Sequence, residues 1–320
     1  MSTAAALDIQ MPATEAVPCY HCGAEKCSPL LIAHDDLSAK PGDFPFVTCD
    51  ECGLAYQNPR VSMSHIQSFY DDEYIAHRKR SDWGLAKRLF ERAMDKLDRK
   101  KTEIVERVGR LTSGQDVLDV GCGAGAFLAY LQKHRGVRPV GVDFMELGES
   151  PSLRDVEFHC GLFYEAGLAQ ESLDVVTMWH FLEHDYDPKR SLRMAHRVLR
   201  PGGHLVVEVP RLDSRTYRWF GDRWPGLQAP QHTVLFTKDN LLEFVEEAGF
   251  EVVEHLPYGA YPAWFYIFAG ACFRLRKGKR FDLRRVAFPY VLLQLLMSPV
   301  LLFEKRLNLA MQTVVCRRKS

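Results

Sequence analysis

Apolar and polar positions change period several times along this chain. From about residue 114 to 253, short apolar runs alternate with stretches in which apolar residues recur every three or four positions, the pattern of strands followed by helices. Residues 117–120 form the first apolar run, and 126–133 read as the helix behind it. Residues 139–143, 173–178 and 204–209 read as further strands and 188–199 as a helix. Residues 237–249 form another helix, with Thr237 as N-cap and Gly249 as terminator, and a strand at 251–256 follows. This alternation predicts a doubly wound α/β sheet with its ligand at the carboxyl edge of the strands.

The flanks follow other rules. Between Asp82 and Arg110 the apolar residues Leu85, Leu89, Ala93, Met94, Leu97, Ile104, Val105 and Val108 fall mostly at helical spacing among charges, which predicts one or two amphipathic helices. Downstream, residues 261–273 are aromatic and apolar, and 274–285 hold Arg274, Arg276, Lys277, Lys279, Arg280, Arg284 and Arg285. An 18-residue apolar run then occupies 286–303, and 311–317 read as a last strand. The run approaches the roughly 17 to 25 residues of a spanning helix, but Pro289, Gln294 and Pro299 interrupt it. It reads instead as a helical hairpin inserted between the final two strands. The expected organisation is a tail at 1–16, a ribbon at 17–60, a helical linker or lid at 61–110, a central domain at 111–260, an insertion at 261–308 and a final strand at 309–320. Tyr70 and Tyr74 are candidates to reach over the central site as a lid.

Composition narrows the class. With 320 residues, 47% hydrophobic and 26% charged, the chain is long enough for one main domain plus additions. Its 41 basic residues balance 41 acidic ones, so no global charge recommends nucleic acid as a partner. The first 18 residues lack the basic start and apolar core of a secretory signal, and a cytoplasmic location is expected. In that reducing setting nine cysteines favour metal or catalytic roles over disulfides. Four of them form two C-x-x-C-G knuckles, Cys19–Cys22 and Cys49–Cys52, separated by 26 residues. Two such turns facing each other make a closed tetrahedral site of four thiolates, which predicts structural zinc. His21, Cys27 and His34 are nearby donors read as bystanders.

The first strand runs into Gly121, Cys122, Gly123, Ala124 and Gly125. Glycine at every second position lets the backbone adopt positive φ and approach a ligand closely. Gly121, Gly123 and Ala126 also satisfy G-x-G-x-x-A, and Asp143 ends the next strand 22 residues after Gly121. By itself this loop fits a nicotinamide or flavin enzyme as well. The companions decide. VLDVGCGAG, VGVDF, LDVVTMWHFLEH and VLRPGGHLVVEVP, in this order and spacing, resemble class I S-adenosylmethionine-dependent methyltransferases. The resemblance covers about residues 114–253 and implies a Rossmann-like sheet of seven strands. It implies that Asp119 and the backbone of Gly121, Gly123 and Gly125 seat the methionine part, that Asp143 binds the ribose and that Phe144 flanks the adenine. Cys122, Phe163 and Trp179 complete the set expected around the cofactor. Where the family often has an acidic residue for the adenine amino group, this chain has Leu162, which implies recognition through main chain.

Methyl transfer from a sulfonium is an in-line displacement, and a base is needed only where the nucleophile must lose a proton. His180, Glu183 and His184 follow the strand at 173–178 with the spacing of one helix face. The segment resembles the E-x-x-E-H of quinone-biosynthesis O-methyltransferases, which can hold a divalent metal, with His180 in place of the first carboxylate. Two readings stay open: base or metal chemistry, or hydrogen bonds that orient loop and cofactor. His232 is the second base candidate, and the aromatic segment 219–224 before it is expected to roof the acceptor pocket. The leading expectation is O- or C-methylation of a small, lipophilic or lipid- or sugar-linked acceptor. Zinc-containing RNA methyltransferases and a non-catalytic zinc and nucleotide module are the competing classes. The basic residues beside the apolar run point to docking on an anionic membrane face or a lipid-linked acceptor; the alternative is a helical cap that closes the pocket or packs on a second subunit.

Overall fold

The computed structural model describes residues 13–70, 87–147, 149–276, 278–282, 285–301 and 303–319; Tyr74, Leu85, Lys277 and Arg284 lie outside them. The chain opens with β1 (Thr14–Glu15), β2 (Cys27–Ala33), β3 (Phe44–Cys49), β4 (Ala55–Gln57) and β5 (Arg60–Val61), then α1 (Met63–Ile66) and the long α2 (Lys87–Val105). The central alternation is β6 (Asp116–Val120), α3 (Ala126–Arg135), β7 (Arg138–Asp143), β8 (Glu157–Cys160), β9 (Leu173–Trp179), α4 (Pro188–Val198) and β10 (Leu199–Pro210). It continues with α5 (Arg215–Phe220), β11 (Val234–Leu235), α6 (Lys238–Glu247), β12 (Phe250–Leu256), α7 (Ala263–Leu275), α8 (Ala287–Leu301), α9 (Glu304–Leu307) and β13 (Met311–Arg318).

Seven strands form one sheet in the order β12-β13-β10-β9-β6-β7-β8. β13 runs antiparallel to both of its neighbours, while the pairs from β10 through β8 are parallel. This is the Rossmann-like methyltransferase sheet that the sequence predicts. Strand order reverses between β6 and β9, so the carboxyl ends of these strands open the crevice where a ligand sits. β6 and β9 read as near-continuous apolar runs because helices cover both faces of the sheet. Helix starts are set locally: Asp187 accepts from the Arg190 N–H at α4, and Thr237 from the Asn240 N–H at α6.

The insertion is a helical pair, α7 and α8, between β12 and β13, with Pro299 inside α8. Among the described residues no helix is long and apolar enough to cross a membrane. The N-terminal knuckles belong to a four-stranded antiparallel sheet, β11-β4-β3-β2, whose edge strand comes from residues 234–235 of the central region. Cys19, Val47, Cys49, Leu54 and Tyr56 share a core with Leu118, Met178 and Val207 of the large sheet. A second core joins Phe46, Phe69 and Tyr70 to Trp224, Leu235 and the aromatic face of α7. The additions are thus built into the carboxyl edge of the sheet rather than hung from it.

Candidate active site

β6 delivers the chain into a turn of three glycines, each with positive φ: Gly121 at 73°, Gly123 at 53° and Gly125 at 78°. A side chain at Gly121 would also meet the Phe181 ring at 3.0 Å, and one at Gly125 the Leu153 Cδ2 at 2.3 Å. Gly123 faces open space, with nothing within 4 Å of an added Cβ. The Asp143 carboxylate, at the end of β7, accepts from the Gly123 N–H at 2.8 Å and the Met145 N–H at 3.0 Å. It therefore shapes the glycine turn. Asp119 is buried and accepts from the Thr177 hydroxyl at 2.7 Å; burial raises its pKa to about 6. Cys122 packs its sulfur over Gly141, where an added Cβ would lie 2.9 Å away. Phe144 stands edge-on to Tyr70 at 5.2 Å. Leu162 is half-buried at the start of a short turn, while Phe163 is buried in the sheet core. Trp179 is buried beside Phe127 and Ile104, with the Lys101 ammonium 5.2 Å from its ring.

The H-x-x-E-H segment departs from its expected geometry. His180, Glu183 and His184 do not share a helix face: β9 ends at Trp179, His180 takes φ 55°, and Leu182–His184 form a single 3₁₀ turn. A non-glycine residue in the left-handed region is held there by its surroundings. The His180 N–H donates to the Glu208 carbonyl, and its ring lies between two carboxylates, Nδ1 at 3.3 Å from Glu183 and Nε2 at 3.4 Å from Glu208. Burial disfavours the charged ring, but Glu183 and Glu208 outweigh it and raise the pKa to about 9. Glu208 is fully buried and accepts from the N–H groups of Ala260 and Tyr261 and the Thr313 hydroxyl. Burial raises and His180 lowers its pKa, with a net downward shift. Sequence reading missed Glu208; its signal was one carboxylate in the otherwise apolar second half of β10, residues 205–210.

His184 and His232 come together from segments 48 residues apart, rings crossed at 87° with centroids 4.4 Å apart. His232 Nδ1 donates to the Gly226 carbonyl at 2.8 Å, which leaves Nε2 with its lone pair. His184 Nδ1 donates toward the Gln231 carbonyl at 3.1 Å and the Tyr70 hydroxyl oxygen at 2.9 Å. Burial lowers the pKa of both rings, that of His232 well below 6.5, so both are neutral near pH 7. Glu183 is 1% exposed, and neither of its carboxylate oxygens receives a hydrogen bond within the protein. One donor atom from each of Glu183, His184 and His232 fits within 4.8 Å of the others, a set able to hold a metal ion. The trio expected to do so, His180 with Glu183 and His184, is corrected by this: His180 falls outside the cluster and His232 takes its place. The aromatic roof is also corrected. Trp224 is 2% exposed and donates from Nε1 to Thr216, while Trp219 points to solvent.

The His232 loop is pinned from outside the large sheet. Thr233 N–H donates to the Glu183 carbonyl at 2.8 Å, Gln57 N–H to the Thr233 carbonyl at 2.9 Å and Gln231 Nε2 to the Phe69 carbonyl at 3.0 Å. Behind Gln57, the two cysteine knuckles are near copies. Cys19 and Cys49 N–H donate to the carbonyls of Ala24 and Leu54, and Gly23 and Gly53 take φ of 75° and 73°. Sulfur separations are 3.5 Å for Cys19–Cys52 and for Cys22–Cys49. A zinc tetrahedron with bonds of about 2.3 Å has edges of about 3.8 Å, so the four sulfurs fit a zinc ribbon.

A family model described as a methyltransferase domain matches residues 85–255, more than half of the chain. The chain is a class I S-adenosylmethionine-dependent methyltransferase. It is 30% identical over 164 residues to a probable S-adenosylmethionine-dependent methyltransferase of Mycolicibacterium smegmatis, a match covering 49% of this chain and 60% of that one. It is 31% identical over 166 residues to the ubiquinone biosynthesis O-methyltransferase of Pseudomonas aeruginosa, covering 47% of this methyltransferase and 69% of that one. Among solved structures, phosphoethanolamine N-methyltransferase 2 of Haemonchus contortus superposes with a TM-score of 0.51 at 15% identity, over 88% of this chain and 65% of that one. That likeness is one of fold.

Proposed function

We propose that this methyltransferase acts on an acidic hydroxyl, or an equally acidic carbon, of a small lipophilic acceptor, with His232 as general base. The observation that carries the reading is the His232 ring, which is buried and neutral, with Nδ1–H spent on Gly226 and Nε2 left as acceptor beside His184 and Glu183. When bound, S-adenosylmethionine supplies a methyl on a sulfonium, which leaves as a thioether once the acceptor attacks. Asp143, the backbone of Gly121 to Gly125 and Phe144 are the residues assigned to hold it, with main chain near Leu162 for the adenine. Asp119 braces that seat through Thr177. Acceptor loses its proton to Nε2 of His232 as the new bond forms. A base of depressed pKa takes a proton only from a group that acidifies in the transition state, which favours a phenol or enol over an aliphatic alcohol. Glu183, Glu208 and an imidazolium at His180 leave one net negative charge at the end of β9, suited to a cationic donor. Cys19, Cys22, Cys49 and Cys52 are assigned to structural zinc.

The likeness to a ubiquinone biosynthesis O-methyltransferase supports the acceptor class. Transfer of tritium from labelled methyl donor to fractionated lipid, sugar and RNA pools tests it. Label is expected in a lipid-soluble product, with His232→Ala lowering the rate about 10²-fold or more. Label in RNA, or an unchanged rate in the variant, sinks the reading. A second reading has one observation in its favour: Glu183, His184 and His232 each offer a donor atom within 4.8 Å of the others, a set that could bind a divalent ion beside the His180 contact of Glu183. Chelation that abolishes transfer while zinc stays in the ribbon would select it.

A further inference from the structure

A helix packed on a soluble domain turns its apolar stripe inward and its polar stripe outward. α8 does the reverse. Its half-buried stripe, Tyr290, Gln294, Met297 and Leu301, contains two of the three polar side chains of the helix, Ser298 being exposed, and the Tyr290 carbonyl accepts from Trp264 Nε1 of α7. The outward stripe is Phe288, Val291, Leu292, Leu295 and Leu296, with Phe288 80% and Leu296 68% exposed. Ala287–Leu301 contains no charged residue. Exposure of a contiguous face of this kind marks a binding surface.

Charge identifies the occupant. Exposed Arg274, Arg276, Lys279, Arg280 and Arg285 lie in the segment before α8, and Lys305 and Arg306 follow it. Residues 261–310 hold nine basic residues against two acidic ones, Asp282 and Glu304. The two acids leave the rim basic: Asp282 pairs with Arg285 at 3.8 Å, and Glu304 is turned inward to accept from the Ala263 N–H. Because both ends of α8 are basic, pairing it with a second α8 sets cations beside cations in either orientation. A surface apolar beneath and anionic above satisfies the face and both ends at once. At about 1.5 Å per residue, the 15 residues of α8 reach about 22 Å, short of a hydrocarbon core of about 30 Å.

We infer that α8 docks this methyltransferase on an anionic bilayer, lying in the headgroup region with Phe288, Val291, Leu292, Leu295 and Leu296 toward the acyl chains and its basic flanks on the lipid phosphates. This deepens the lipophilic-acceptor reading by naming where the acceptor would be met, yet it stands on the surface alone. The test is sedimentation of the full chain with phosphatidylcholine vesicles, pure or carrying one quarter phosphatidylglycerol, at 0.1 M and 0.5 M salt. Wild type is expected to partition onto anionic vesicles only, and less at high salt. Leu292→Glu with Leu296→Glu should lower the partition at least ten-fold, and Arg276→Glu with Lys279→Glu by a similar factor, at roughly five-fold per cation. Unchanged thermal unfolding and S-adenosylhomocysteine binding certify these variants, with Phe288→Ser as a milder substitute. Equal partition of wild type and the double-leucine variant overturns the inference. So does absence of vesicle binding together with a dimer that the leucine variant dissociates, which would make α8 a contact between copies. Neither outcome touches His232 or the labelled-methyl assay, so failure here and failure of the catalytic reading are separable.

Discussion

Three histidines at the end of β9 carry different protonation because of what each ring nitrogen faces. His180 faces two carboxylates that outweigh its burial and raise it to about 9, whereas burial, reinforced by the neighbouring rings, lowers His184 and His232 despite the carbonyls they face. The two directions give a pH profile with a defined shape. Catalysis by His232 requires the neutral ring, so kcat/KM should be flat across neutrality and fall only below pH 6.5. His180 is the opposite case: its folded pKa lies above the unfolded value, so its stabilising contribution is complete below about 6.5 and is lost as pH rises through about 9. The stability difference between wild type and His180→Gln, measured by urea unfolding from pH 6 to 10, should shrink along that window. An acid limb at or above 6.5 removes His232 as base, and a constant stability difference removes the ion triad. None of this was readable in H-x-x-E-H as letters. Spacing put His180, Glu183 and His184 on one helix face, but a strand that runs on to Trp179 and a left-handed His180 turn the rings apart, and His232 reaches the cluster only through a distant loop.

Among the elements, β11 links the metal module to the site. It is two residues long, follows His232 and Thr233 directly, and completes the ribbon sheet by pairing Val234 with Tyr56 and Leu235 with Ala55. Two-residue strands have little stability of their own, so β11 holds its place only while β4 does. β4 in turn follows the second knuckle, and the zinc assigned to the four cysteines would fix the turn that feeds it. Removing zinc should therefore lower kcat along with stability. Titration with a chelator, zinc release followed by a chromogenic dye, is expected to show activity falling in proportion to metal lost. Activity unchanged in fully zinc-free protein would mean that the His232 loop stands without the ribbon. The knuckles were plain in the sequence because thiolate spacing is local; the partnership of β4 with β11 was not, because pairing across 180 residues leaves no periodic trace. The same division explains the sheet. β6, β7, β9 and β10 announced themselves as apolar runs, while exposed β8, Glu157–Cys160, carries no such pattern and went unread.

At the scale of the molecule, the ribbon, residues 66–70 and the insertion meet in one apolar cluster over the carboxyl edge of the sheet, and the ribbon also shares the core beneath. Shared cores couple the parts, so calorimetry should show one unfolding transition rather than separate melting of ribbon and sheet. A ligand seated at Gly121 to Gly125 then stabilises the whole chain. S-adenosylhomocysteine at 100 times its dissociation constant contributes about 2.7 kcal/mol. At about 2 °C per kcal/mol for a chain of this size, that single transition should move up by roughly 5 °C. Asp143→Ala removes the acceptor for the Gly123 and Met145 N–H groups along with the assigned ribose contact, so its transition should rise far less at the same ligand concentration. Should Asp143→Ala keep the full shift, the ribose assignment fails even though the fold stands. If instead the wild-type transition splits and only its upper part responds to ligand, the ribbon and the sheet are separate cooperative units, and zinc at the knuckles would have no route to His232.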